Sequence, residues 1–488
     1  MTSVWQQVLL IRPVPLEFLG RWASSSYLLR WLPLLQTWRS SSWLLQWSEA
    51  IALVLAALVY VLAPFVSTTL IGILLMAASA FWLLRVVSEP ADLRRITPIH
   101  MLVGLYWAIA TLATVLSPVR SAALDGWVKL TLYLLLFVWM TRLLRSPQMR
   151  SILISIYLHV SLLVSAVGIR QFFFGANALA TWVDVDSSLA GTTRVYSYLG
   201  NPNLLASYVM PAVMLSAVAM FAWQRWLPKA LAGVMFVTHT ACLVLTFSRG
   251  GWIGLVIGGF ALVLLLVHWY SIHLPRFWRI WSIPIVLGLS VGFVFVAVMA
   301  VEPLRDRVAS MFVGREDSSN NFRINVWMSV IEMIKDRPIL GIGPGNNAFN
   351  RVYPFYQQPG YTALSAYSIL LEVAAETGLI GLTCMVWLLL VTFHQGWTQL
   401  QRLRKLSHVQ GFWLMGAIAT MIGMLAHGVV DTVWYRPQVS TLWWGMVALV
   451  ASYYVLPSTE SPSRERSLPS DEGEDGDLGQ ADFGEPGV

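Results

Sequence analysis

Twelve stretches of mostly apolar residues run through the chain, at 49–67, 68–87, 98–117, 125–143, 151–173, 203–224, 229–248, 250–270, 280–301, 366–394, 409–432 and 438–457. A helix needs about 20 such residues to cross the hydrocarbon core of a bilayer. Lipid offers an open backbone no hydrogen-bond partner, so such stretches become helices. The expected fold is an all-α polytopic membrane protein, with one transmembrane helix per stretch and one large loop. A tight turn near Ser67-Thr68-Thr69 must part the first two. Of the 488 residues, 57% are hydrophobic and 12% charged, against roughly a quarter charged in soluble domains. A soluble enzyme is excluded, as are collagen, coiled-coil and disordered classes.

The net charge of +7 is unevenly divided. Residues 458–488 carry nine acids and two bases, so the rest of the chain is strongly basic. Lys and Arg gather on the cytoplasmic side of an inner membrane. With the N-terminus placed in the cytoplasm, seventeen bases of the short loops fall inside and six outside. The chain is therefore expected in the cell inner (plasma) membrane with both termini cytoplasmic. The division expected is a cytoplasmic or interfacial segment at 1–48, nine spans within 49–301, a long periplasmic loop with a short helix at 302–365, three spans within 366–457, and a disordered acidic tail at 458–488. Residues 1–48 lack the cleavage pattern of a signal peptide. Their mix of Trp22, Trp31, Trp38, Trp43 and Trp47 with Arg21, Arg30 and Arg39 suits a helix lying in the interface or a poorly ordered leader. Cys242 and Cys384 sit in apolar stretches and define neither a disulfide framework nor a metal spacing. No basic run supports nucleic-acid binding.

Four stretches at the outer face have chemistry to offer. In Thr193-Arg194 to Asn201-Pro202-Asn203, the Gly, Asn and Pro residues form a turn and Asn203 is placed to cap the next helix; Arg194 is left for an anion. Ser248-Arg249-Gly250-Gly251 sets a guanidinium and two glycines at a helix N-terminus, which suits either a phosphate cradle or a snorkelling arginine in a hairpin. In the long segment, Phe322, Val326, Ser329/Val330 and Met333 fall on one helical stripe. Arg323 would project from that helix, and Pro338 stops it. Gly341-Ile342-Gly343-Pro344-Gly345 then reads as a tight turn against the membrane surface, since no strand–loop–helix unit surrounds it.

The fourth stretch runs from Leu371 to Gly381 and holds Glu372 and Glu376, four apart on one helix face. Carboxylates at the start of an apolar span are functional candidates; equally, they would pair with an outer-loop arginine and pin that loop. His427 lies four residues before Asp431, a spacing that orients an imidazole or forms a buried structural hydrogen bond. No metal-binding motif or nucleophile–His pair is present, and neither a metal site nor a cofactor is expected.

Taken in order, these pieces resemble the O-antigen ligase and polymerase superfamily. Gly200-Asn201-Pro202-Asn203, Ser248-Arg249-Gly250-Gly251, Arg323 to Trp327, Pro338 to Gly345 and Glu376-Thr377-Gly378-Leu379-Ile380-Gly381 carry the resemblance, over about residues 195–390. Ser365-Ala366-Tyr367-Ser368 and His427 to Pro437 are most similar to the cyanobacterial inorganic-carbon-accumulation (IctB) family, whose members have been called bicarbonate transporters.

The ligase resemblance implies transfer of a glycan from a polyprenyl diphosphate to a lipid or saccharide acceptor, without metal or nucleotide. It places the diphosphate-holding arginines at Arg249 and Arg323. It also implies a histidine base, but Tyr367-Ser368 stands where ligases carry His-Asn. Tyr is a poor base near neutral pH, its free pKa being about 10. Candidate catalytic residues are thus Tyr367, Glu372, Glu376, His427 and Asp431, and candidate anion contacts Arg249, Arg323 and Arg194. The expected partners are a lipid-linked glycan or bicarbonate, with membrane lipids. The readings are a glycan transferase or binding relative, a bicarbonate transporter or carbon-accumulation auxiliary, and a non-catalytic envelope assembly protein.

Overall fold

A computed structural model describes residues 42–88, 96–175, 193–300, 305–306, 308–309, 314–432 and 434–455, without the side chains of 293, 297 and 316. The expectations for residues 1–41 and for the acidic tail lie outside these. All regular structure among the described residues is helical. In chain order the helices are α1 Ser48–Leu62, α2 Thr68–Val87, α3 Pro98–Val115, α4 Arg120–Leu143, α5 Pro147–Phe174, α6 Pro202–Ala222, α7 Trp226–Leu245, α8 Arg249–Tyr270, α9 Arg276–Ala300, α10 Ser318–Asp336, α11 Asn346–Val352, α12 Ile369–Lys405, α13 Gln410–Val430 and α14 Pro437–Ser452.

Each of the twelve apolar stretches coincides with one of these helices. Ten helices among the described residues are long and apolar enough to cross a membrane: α2 to α9, α12 and α13. The other two, α1 and α14, have 15 and 16 residues, or only about 23 Å of rise. Between α1 and α2 the turn falls where expected, with the Ser67 hydroxyl accepting the Leu70 N–H at 3.4 Å.

Burial sorts the helices. In α6 nearly nine-tenths of the apolar window is buried, and α14 is buried from Gln438 to Ser452; both pack on α13 at the centre of the bundle. Against α13 lies α8, where small residues permit close approach: a Cβ on Gly254 would stand 2.5 Å from the Gly423 carbonyl oxygen. By contrast, none of the apolar window of α9 is buried, so its Phe, Trp and Ile side chains face outward, as a lipid-exposed helix requires.

The segment after α9 is more helical than a loop with one short helix. The expected stripe forms: Val326, Val330 and Met333 of α10 are buried with Ile342, Phe349, Tyr353 and Ala375 in a small core of their own. That core rests on a break in α12. At Gly378, φ is +68° and ψ −175°, a region essentially reserved for glycine. The break exposes backbone groups that the 338–345 loop takes up. Ile342 N–H donates to the Ala375 carbonyl and Gly343 N–H to that of Glu376, both at 2.9 Å, while Leu379 N–H donates to the Pro338 carbonyl at 2.8 Å. The loop also meets α4 backbone to backbone: a Cβ on Gly345 would lie 2.5 Å from the Cα of Gly126. The glycine turn is therefore docked on α4 and α12.

Candidate functional site

Arg249 opens α8. Ser248 caps that helix by accepting the Gly251 N–H at 3.1 Å, which fixes the backbone from which Arg249 projects. The guanidinium is buried, 5% exposed. It donates to both carboxylate oxygens of Asp317, to Oδ1 at 2.7 Å, and to Asn320 Oδ1 at 2.8 Å. Asp317 is the N-cap of α10, accepting the Asn320 N–H at 2.9 Å. An ion pair thus joins two helix starts 68 residues apart.

Arg323 lies on the same early turns of α10. It does not project into open space: it is half-buried, its Nη1 donates to Ser319 Oγ at 3.1 Å, and its buried Nε has no hydrogen-bond partner. Arg194 comes from the segment before α6. Its Nε donates to the Thr246 carbonyl at 3.1 Å and its Nη2 to Asn203 Oδ1 at 3.3 Å. Asn203 is therefore not the cap of α6. Pro202 takes the first helical position, and Asn201 caps, accepting the Asn203 and Leu204 N–H groups.

Arg323 and Arg249 both lie close enough to Arg194 for their charges to act on it. Desolvation, the positive charge of Arg323 and, less strongly, that of Arg249 lower Arg194 to a pKa of about 10, against the pull of Asp431. Arg194 remains protonated at neutral pH. Three cations from the start of α8, the early turns of α10 and the 193–201 segment thus lie near two carboxylates, Asp317 and Asp431.

His427 is buried beside this cluster, 1% exposed. Its Nδ1 is hydrogen-bonded to Ser207 Oγ at 2.8 Å, and its Nε2 has no partner. The ring packs on Gly250, where a Cβ would stand 2.4 Å from its Cδ2. The expected His427–Asp431 bond does not form, because α13 ends at Val430 and Asp431 is extended, with φ −154°. Asp431 instead accepts the Thr432 N–H at 2.8 Å.

Tyr367 precedes α12 in the left-handed region, at φ +49°, an uncommon state for a bulky residue. Its ring meets Phe322 edge-on, with centroids 5.4 Å apart. Burial, then the charge of Asp431, holds its phenol well above the ordinary range, while Arg323 opposes them.

Among the described residues, neither Glu372 nor Glu376 pairs with an arginine. Glu376 does hold the loop, accepting the Gly345 N–H at 2.7 Å. Glu372 is 6% exposed and its Oε2 has no hydrogen-bond partner. Both line a cavity of about 150 Å3 between α3, α4, α12 and α14.

Asp317, Asn320 and Ser207 were not singled out from sequence. For Asp317 a signal existed: Asp317-Ser318-Ser319-Asn320 ahead of an amphipathic stripe is an N-cap pattern.

An O-Antigen ligase family model matches residues 234–386. The match supports similarity to the O-antigen ligase superfamily across the span that holds Arg249, Arg323, Tyr367, Glu372 and Glu376; Arg194, His427 and Asp431 lie outside it. No curated protein matches the chain. With the long apolar helices, the match marks a multi-pass membrane protein.

Proposed function

We propose that the chain handles a polyprenyl-diphosphate-linked glycan at the outer face of the inner membrane, as a transferase or a binding relative of one. The observation that carries this reading is geometric: Asp317 and Asn320 bind Arg249 at the start of α10, Arg323 bonds Ser319 on the same turns, and Arg194 lies close enough for both charges to act on it. Guanidinium forks match phosphate oxygens two at a time. A buried cluster of them stabilises the charge that grows on a diphosphate as it leaves.

In such a transfer an acceptor hydroxyl oxygen attacks the anomeric carbon. The bond from that carbon to the phosphate oxygen breaks, and its electron pair leaves with the polyprenyl diphosphate. The hydroxyl proton must pass to a base. Tyr367, held neutral by burial, does not serve as one; His427, through its unpartnered Nε2, and the two glutamates are the candidates. Twelve spans, cytoplasmic termini and a periplasmic 302–365 segment belong to the same proposal, as does the kinship with the cyanobacterial IctB family.

Equilibrium binding of a polyprenyl-diphosphate glycan to the protein in nanodiscs tests the reading. Binding that weakens in Arg249→Lys and Arg323→Lys supports it. If neither variant changes binding, or none occurs while deletion of the gene impairs bicarbonate uptake into vesicles, the glycan reading fails.

A further inference from the structure

Among the residues lining the cavity bounded by α3, α4, α12 and α14, three carry a buried polar atom without a hydrogen-bond partner. Glu372 Oε2, an acceptor, makes no hydrogen bond of good geometry, although the Thr432 hydroxyl and the Ala366 backbone lie near its carboxyl group, and the side chain is more than nine-tenths buried. Asn346 Oδ1 is a second acceptor; the other end of that carboxamide donates to the Leu364 carbonyl, which settles which atom is the oxygen. Trp443 Nε1 is a donor, on a side chain 1% exposed. All three residues line the same space, as does Lys129. Buried polar groups in native proteins are ordinarily satisfied. Three unsatisfied ones around one cavity mark a place where something else supplies the bonds.

The walls narrow what that is. Trp434 and Trp443, with ring centroids 4.0 Å apart, are among the lining residues, as is Tyr106. A site of aromatic walls with a few convergent polar groups is the ordinary design of a small-molecule pocket. A volume near 150 Å3 accepts one six-membered ring. The unpartnered acceptors outnumber the unpartnered donor, so the ligand must donate at least two hydrogen bonds. An oxyanion such as bicarbonate donates too few and would meet two carboxylates. A bare cation would leave the Trp443 N–H unanswered and would face the ammonium of Lys129.

We propose that this cavity binds a single neutral pyranose ring, a sugar unit of the glycan. Its apolar face lies on the Trp434–Trp443 wall, two of its hydroxyls donate to Glu372 Oε2 and Asn346 Oδ1, and one accepts from Trp443 Nε1. The assignment rests on the glycan reading above and supplies its saccharide subsite, separate from the arginines that take the diphosphate.

Saturation-transfer NMR with methyl pyranosides and the full chain in nanodiscs tests it. Saturation should concentrate on the ring C–H groups of one sugar face. Trp443→Phe should weaken the sugar by about tenfold, the cost of losing one hydrogen bond to a buried group, and Glu372→Gln, which trades a charged acceptor for a neutral one, by several-fold. Trp443→Phe keeps the aromatic wall and removes only the N–H, so it stands as the test if Glu372→Gln fails to fold. Arg249→Lys should weaken pyrophosphate and not the free pyranoside. The proposal is overturned if no pyranoside shows saturation, if both cavity variants bind sugar as the parent does, or if sodium rather than sugar raises the melting temperature in a Glu372-dependent way. Loss of diphosphate binding with sugar binding intact would instead strike the arginine reading and leave the cavity assignment standing.

Discussion

Asp317 closes both carboxylate oxygens on the guanidinium of Arg249, so the N-cap of α10 is tied to the first turn of α8. The fork it occupies is the one a phosphate would use. Asp317→Asn retains a good cap and removes the competing charge. Its affinity for pyrophosphate, measured by calorimetry, should rise several-fold. A fall would show that Asp317 orients Arg249 for the ligand rather than competing with it.

Arg249→Lys and Arg323→Lys keep the charge but lose the planar fork. Each should cost about 1.5–3 kcal/mol of diphosphate binding, the range for charge-assisted hydrogen bonds, or about 10- to 150-fold in Kd. Equal affinities for parent and variants would remove both residues from the site.

The phenol of Tyr367 is held above its ordinary value by burial. A raised folded-state pKa adds stability that is complete below the unfolded value, about 10, and is lost as pH climbs beyond it. Tyr367→Phe should therefore flatten the decline in thermal stability above that pH and leave the profile between pH 6 and 9 unchanged. Tyr367→His should introduce a glycan-transfer activity that rises with pH through about 6.5, the unperturbed imidazole value. Transfer by the parent that vanishes in Tyr367→Phe would return this position to the catalytic set.

Gly378→Ala forces a Cβ to within 2.1 Å of the Ile339 carbonyl oxygen, in a backbone region closed to alanine. The docked 338–345 loop must shift and loosen α11, which follows it, and trypsin should cut after the exposed Arg351 much faster than in the parent. Unchanged cleavage would mean that the loop does not depend on the break.

Single cysteines at Ser318 and Ser463, with Cys242 and Cys384 replaced, should label from outside and inside respectively. Labelling of both from one side would overturn the proposed arrangement.

What the sequence disclosed follows the range of the forces involved. Each apolar stretch and the stripe from Phe322 to Met333 are local periodicities, and both became helices. The Arg249–Asp317 pair spans 68 residues, and no pattern in one chain reports such a distance. Within 366–394 nothing apolar is interrupted at Gly378, so the break was invisible; it exists because the distant 338–345 loop satisfies the freed backbone groups. The expected His427–Asp431 bond assumed a helix that continues one residue further, through Asp431. The chain turns extended at Asp431, and the imidazole bonds Ser207 of α6 instead.

The contact of Gly345 with Gly126 has an evolutionary corollary. Where two side chains touch, a gain in size on one side is commonly answered by a loss on the other, and paired drift follows. Here each Cα already meets backbone: a Cβ on Gly126 would stand 1.9 Å from the Pro344 carbonyl oxygen. Glycine has no atoms left to surrender, so neither position has a compensating partner. In any descendant that keeps the loop seated on α4, both should stay glycine independently, and the first sequence to lose either one should be a sequence whose loop has moved.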